Sequence, residues 1–174
     1  MQKVSRLLLL LPVIFMLASN IPPKDNIKWM TLSELKTVWV KEKKPILIDI
    51  YTSWCGWCKV MDKETYNNSK VINYINDHFY AVKFDAETSD SVVLGSKKYG
   101  YNPAFNANDL AAYLLNGQMG YPSTVILPSP ESVPATLQGY LKPAEIEPPL
   151  KYFGEGAYKK QVFQDFMKGF SATW

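Results

Sequence analysis

The chain has 174 residues, 47% of them hydrophobic and 14% aromatic, which is enough for one domain with a full apolar core. Its 19 basic and 16 acidic residues form no Lys/Arg block or clustered basic face, which argues against nucleic-acid binding. Two cysteines and one histidine are too few for a closed four-ligand metal site unless carboxylates join them.

Residues 1–20 read as a secretory signal. Lys3 and Arg6 precede an uncharged apolar run from Leu7 to Leu17, 11 residues long and interrupted by Pro12. A spanning helix needs roughly 20 apolar residues, so export is expected rather than a permanent anchor. The best small residues at the cleavage point are Ala18 and Ser19, a poor site that leaves an uncleaved anchor as the alternative. With no cysteine following the run, lipid attachment there is excluded. A chain cut after Ala18 would hold 17 basic and 16 acidic residues and be nearly neutral. Export places the two cysteines where disulfides form and persist.

The domain is expected over 27–174, after an extended leader containing Pro22-Pro23. Thr31 and Glu34 have capping-box spacing, and Leu32, Leu35, Val38 and Trp39 fall on one face of a helix ending in the Lys41–Lys44 stretch. Ile46 to Tyr51 is apolar except for Asp49, the pattern of a central strand covered on both faces. This strand leads directly to Ser53-Trp54-Cys55-Gly56-Trp57-Cys58-Lys59. A helix is expected from about Cys55–Cys58 to Asn67, and a second from Ser69 with Val71, Ile72, Ile75 and Phe79 inward. Phe79 to Asp85 alternates as the next inner strand. Residues 88–107 read as an insertion: a small hairpin, Val92–Leu94 and Lys97–Tyr99 around Gly95, then a loop carrying Tyr101 and Phe105. Asn108 caps a helix, Asp109–Leu115, that Asn116-Gly117 ends. Thr124–Leu127 and Thr136–Tyr140 are two further strands, joined by a turn at Pro128-Ser129-Pro130. Pro143 opens a helical segment that Pro148-Pro149 is expected to interrupt. A last helix, Ala157–Phe170, would place Val162, Phe163, Phe166, Met167 and Phe170 on one side. Alternating strands and helices indicate an α/β class, a mixed sheet flanked by helices. His78, at the end of a helical piece, is expected on the surface without a chemical role.

Cys55 and Cys58 are open to three readings. A metal site lacks ligands. A structural bridge closing four residues contributes only about 2 kcal/mol on chain-entropy grounds. A redox pair fits the context best: a thiol at a helix N-terminus faces unpaired N–H groups and the positive end of the helix dipole, which favour the nucleophilic thiolate. Cys58, one turn further in, is expected to be less exposed and to resolve a mixed disulfide. Gly56 leaves room beside the attacking sulfur. Trp54 and Trp57 offer apolar surface to a partner protein, or else pack internally. A carboxylate buried within ILIDIY is raised in pKa by desolvation and suits a proton acceptor, so Asp49 is assigned that role over a hydrogen-bonded strand-end residue. Tyr121-Pro122, at the head of a strand after Gly120, is a place for a cis bond, though spacing alone favours an ordinary trans proline.

Taken together these segments resemble the thioredoxin superfamily, and within it the exported bacterial thioredoxin-like proteins with a WCGWCK centre. ILIDIYTSWCGWCK is similar to the family's strand-to-helix motif, which implies Asp49 as buried acid, Cys55 as nucleophile and Cys58 as resolving thiol. AVKFDAE resembles the following strand and implies Lys83 as the lysine beside that acid. GYPSTVIL resembles the cis-proline segment, implying that Tyr121 and Pro122 face the cysteines, and LQGYLKPAEI is similar to the final strand with Gly139. The resemblance covers about residues 27–146 and is broken by the insertion; Trp57 stands where cytosolic thioredoxins have proline. It implies a thioredoxin-like fold with an extra C-terminal helix, and thiol–disulfide exchange with protein partners. No cofactor or metal is implied. The expected protein is a monomeric, periplasmic or otherwise exported reductant served by a membrane electron donor. The rival reading is a binding module that docks through the Tyr99–Phe105 loop and the aromatic tail.

Overall fold

A computed structural model describes residues 26–174. The expected signal segment, its cleavage point and the Pro22-Pro23 leader lie outside the described residues.

In chain order the elements are α1 (Leu32–Trp39), β1 (Ile46–Tyr51), α2 (Gly56–Glu64), α3 (Ser69–His78), β2 (Tyr80–Asp85), β3 (Val92–Leu94), β4 (Lys97–Tyr99), β5 (Tyr101–Asn102), β6 (Ala107–Asn108), α4 (Asp109–Leu114), β7 (Ser123–Leu127), β8 (Ala135–Gln138), α5 (Pro143–Gly154), a 3₁₀ turn (Ala157–Lys159) and α6 (Phe163–Lys168). Four strands form the central sheet in the order β2-β1-β7-β8, with β1 and β2 parallel and the other pairs antiparallel. This is the thioredoxin-like mixed sheet flanked by helices.

Alternation along β1 separates the two halves of the core. Ile46, Ile48 and Ile50 face one layer with Leu32 and Leu35 of α1 and Leu110 and Leu114 of α4. Leu47 packs on the other side with Met61 of α2, Ile72 and Ile75 of α3, and Ile146 and Leu150 of α5. Asp49 shares Leu47's parity and therefore belongs to the α2 side. The edge beside β2 is covered by a short bridge: Met30 N–H donates to the Ala81 carbonyl at 2.9 Å, and Lys83 N–H donates to the Met30 carbonyl at 3.3 Å. That bridge blunts an open strand edge and fixes Trp29 near Lys83.

The capping box at Thr31 and Glu34 forms as expected, as does the β3–β4 hairpin. The insertion adds a second hairpin, β5–β6. Tyr99 is core and stacks on Tyr113, whereas Tyr101 and Phe105 are exposed. The fourth sheet strand ends at Gln138, not Tyr140, because Gly139 takes φ +90° and turns the chain away.

Two expectations at the C-terminal end are corrected. Pro148-Pro149 do not interrupt α5, which runs from Pro143 through Gly154. The prolines remove two helical N–H donors, but Ile146, Leu150 and both rings are buried, and this packing outweighs the missing bonds. The single helix Ala157–Phe170 is instead a 3₁₀ turn and the short α6, because the chain between them becomes extended at Val162, with φ −74° and ψ 158°. Val162, Phe163 and Met167 are exposed, and Phe166 and Phe170 are half-buried. The place against the core goes to Trp174, which lies 5.3 Å from the Tyr74 ring.

Candidate active site

The loop leaving β1 turns so that Cys55 becomes the N-cap of α2, its N–H donating to the Thr52 carbonyl at 3.2 Å. Cys55 Sγ accepts from the Cys58 backbone N–H at 3.0 Å, the geometry by which a helix N-terminus stabilises a thiolate. The two cysteines are joined as a disulfide. Cys55 and Cys58 are 4% and 5% exposed, so the expected difference between them is absent in the oxidised pair: the bridge draws both sulfurs into the same enclosed turn. A side-chain methyl at Gly56 would meet nothing within 4 Å, so the space at this residue is open.

Asp49 and Lys83 face each other across the parallel β1–β2 register, with Lys83 Nζ 2.9 Å from Asp49 Oδ2. Asp49 is buried, and desolvation pushes its carboxyl up to about 6 against the opposing pull of Lys83. Lys83 is raised overall: burial lowers it, but the attraction of Asp49 and the bond to Asp62 outweigh that. Lys83 also donates to Asp62 on α2, so one ammonium bridges a buried and a half-exposed carboxylate. Cys58 and Asp62 are four residues apart on one helical face, and Asp62 bonds the same Lys83 that pairs with Asp49. Trp29, Tyr51 and Tyr66 surround the ammonium, their ring centres 5.2, 5.3 and 6.0 Å from Nζ. The Tyr66 hydroxyl is 2.8 Å from Thr124 Oγ1 on β7, and burial first, then the charge of Asp49, holds that phenol protonated.

Outside this interior group the pair is flanked by aromatics. Trp54 and Trp57 are 66% and 62% exposed, so neither is a core residue. The Trp54 indole N–H donates to Glu87 at 3.0 Å, and its ring meets Tyr121 edge-on at 6.0 Å. The peptide bond between Tyr121 and Pro122 is cis, and the Pro122 carbonyl accepts from Gly139 N–H at 2.8 Å. Trp57 lies 5.7 Å from Tyr140, whose hydroxyl donates to Glu64 at 2.5 Å. Asp49 is thus paired with Lys83, and Trp54 with Tyr121, beside the cis bond to Pro122. His78 lies away from this group, half-buried and stacked on Tyr74 at 4.3 Å.

Sequence reading missed Asp62, Trp29, Tyr66, Glu87 and Tyr140. For Asp62 a local signal existed, the four-residue spacing from Cys58 on one helix face. The others are brought in by tertiary pairing alone. The Thr52 hydroxyl, buried beside the turn, has no hydrogen-bond partner among the described residues.

Residues 15–151 match the profile of Thioredox_DsbH, a family described as proteins of unknown function, DUF255. The chain belongs to the Thioredox_DsbH family. It is 32% identical over 100 residues to an uncharacterized protein of Caenorhabditis elegans, an overlap of 58% of this chain and 12% of that one. To human spermatogenesis-associated protein 20 it is 35% identical over 52 residues, 30% of this chain and 7% of that protein. The chain thus spans 12% or less of these curated relatives. Among solved structures it is similar to a thioredoxin-fold protein from Helicobacter pylori, with a TM-score of 0.55 and 18% identity over 72% of this chain and 79% of that one. It also resembles a DsbH oxidoreductase, with a TM-score of 0.53 and 18% identity over 91% and 96% of the two chains. These likenesses establish the thioredoxin fold. Among the described residues no helix is long and apolar enough to cross a membrane, and no group of three or more His, Cys, Asp or Glu side chains could hold a metal ion.

Proposed function

We propose that this protein is an exported thiol–disulfide oxidoreductase that reduces protein disulfides through Cys55 and Cys58. The observation that carries the reading is the buried Asp49, raised to about 6 and tied through Lys83 to the helix face that bears Cys58. A proton acceptor poised near neutral pH is what a buried resolving thiol requires.

In the reaction, the Cys55 thiolate attacks one sulfur of the partner's disulfide. A Cys55–partner mixed disulfide forms, and the other partner sulfur leaves with the electron pair and takes a proton from water. Asp49 accepts the Cys58 thiol proton, and the Cys58 thiolate attacks Cys55 Sγ. The Cys55–Cys58 bond forms and the second partner sulfur leaves as a thiolate. Two electrons have passed to the partner, and a membrane dithiol donor returns them. Trp54, Trp57, Tyr121 and Pro122 form the surface against which the partner segment lies, and Gly56 leaves it room. The working unit is a monomer in the periplasm or another exported compartment.

The deciding experiment equilibrates the protein with dithiothreitol and glutathione buffers and scores thiols by alkylation. A potential near thioredoxin's, about −270 mV, agrees with a reductant, and one near −120 mV reverses the direction. A pair that reduces only when the protein unfolds removes the enzymatic reading and leaves a binding module.

A further inference from the structure

We propose that Asp62 is a positioning residue that divides the Lys83 ammonium between two carboxylates and thereby sets how readily Asp49 takes the proton of Cys58. The inference rests on the oxidoreductase reading above.

Lys83 Nζ reaches Asp49 Oδ2 at 2.9 Å on one side and Asp62 Oδ1 on the other. The two acids differ sharply in setting: the Asp49 side chain is 3% exposed and that of Asp62 is 44% exposed. The rings of Trp29, Tyr51 and Tyr66 lie near the ammonium as well, so its position is shaped by the two carboxylates and these aromatics. A Lys83 committed to Asp49 alone would stabilise the Asp49 carboxylate and weaken it as a base. Sharing the cation with Asp62 withdraws part of that stabilisation, and the negative charge of Asp62 acts on Asp49 in the same direction.

The charged and titratable groups acting with Asp49 come from several elements. Lys83 stands opposite on β2, with Asp85 further along that strand; Tyr51 follows on β1; Asp62 comes from α2, on the helix that also carries Cys58, and Tyr66 from just beyond it. On β7 the register partner is Thr124, whose hydroxyl is paired with Tyr66. Asp62 is the most exposed acid of the Lys83 triad, so its charge can be removed with little disturbance to packing.

The test follows the Asp49 side-chain carboxyl by ¹³C NMR through a pH titration of the oxidised, full-length protein. Wild type, Asp62→Asn, Asp62→Ser and Asp62→Glu are compared, together with the pH–rate profile for single-turnover reduction of a disulfide peptide. Asp62→Asn and Asp62→Ser are expected to lower the Asp49 midpoint by about half a pH unit or more, with the acid limb of the rate profile moving the same way, and Asp62→Glu to restore both. A merely structural role would leave the midpoint in place, so an unmoved midpoint in the two neutral variants overturns the inference. A wild-type protein that reduces no peptide at any pH instead defeats the oxidoreductase reading, and the NMR midpoints still decide the effect of Asp62 on Asp49.

Discussion

Lys83 meets Asp49 across the parallel register of β1 and β2 at 2.9 Å, yet the carboxyl of Asp49 is still pushed up to about 6. Burial therefore outweighs the ion pair. An isolated pair at this distance would hold an aspartate below its ordinary range; here the strand is covered on both faces and the cation is shared.

A stability prediction follows with a definite sign. The folded value lies above the ordinary 3.8, so the favourable contribution of a neutral Asp49 is complete below about pH 4 and is lost as pH rises through 6. Between pH 4 and pH 7 the oxidised wild type should lose about 2 kcal/mol relative to Asp49→Asn, which does not titrate. Urea unfolding at the two pH values measures this. Parallel pH dependences for the two proteins would show that Asp49 titrates at its ordinary value.

The two thiols have separable roles. Replacing Cys58 with serine removes the resolving step, so the Cys55–partner disulfide should accumulate as a covalent adduct that dithiothreitol releases. Cys55→Ser should give no adduct and turnover at background. Non-reducing electrophoresis after mixing with a disulfide-containing protein distinguishes them. Equal adduct yields from both variants would contradict the assignment of Cys55 as nucleophile.

How far this site could be read beforehand depends on how local each feature is. The strand ILIDIY, the cysteines after it and the capping signals at Thr31 and Asn108 are written in consecutive residues, and the structure places them as expected. What the C-terminal aromatics pack on was not legible, for a physical reason. Phe163, Phe166, Met167 and Phe170 have helical spacing, but spacing does not state what a face packs on, and Trp174 takes the core position instead. Asp62 carries no signal of its own in the sequence beyond its spacing from Cys58. Its meaning depends on Lys83, 21 residues away on β2, and only the tertiary fold joins them.

Trp54 is held to Glu87 by its indole N–H and to Tyr121 by an edge contact, so it is a rigid exposed anchor beside the disulfide. Trp54→Ala should raise KM for a protein disulfide several-fold, about 1 kcal/mol, with little change in kcat. Reduction of a small disulfide such as oxidised glutathione should be unaffected. Equal losses with both substrates would mean that Trp54 shapes the reacting centre and not partner contact.

Glu147 is fully buried in α5 and holds residues 173–174 against the fold. Its carboxylate pairs with Lys151 at 2.8 Å and accepts from Thr173 N–H at 2.7 Å, Thr173 Oγ1 at 2.6 Å and Trp174 N–H at 2.9 Å. Burial pushes the carboxyl up, but the bonds from Lys151, Thr173 and Trp174 outweigh it and hold the group down at about 2. A depressed folded value means the contribution is complete above the ordinary 4.5 and is lost as pH falls toward 2, the reverse of Asp49. Glu147→Ala leaves Lys151 and the Thr173-Trp174 backbone without their acceptor, and should destabilise the protein by about 3 kcal/mol at pH 7. Glu147→Gln should lose less, because its amide oxygen can still accept. The freed Trp174 should leave Tyr74, with redder tryptophan emission and faster amide exchange at 173–174. Wild-type stability in Glu147→Ala would mean that Trp174 is held by its contact with the core and not by the carboxylate.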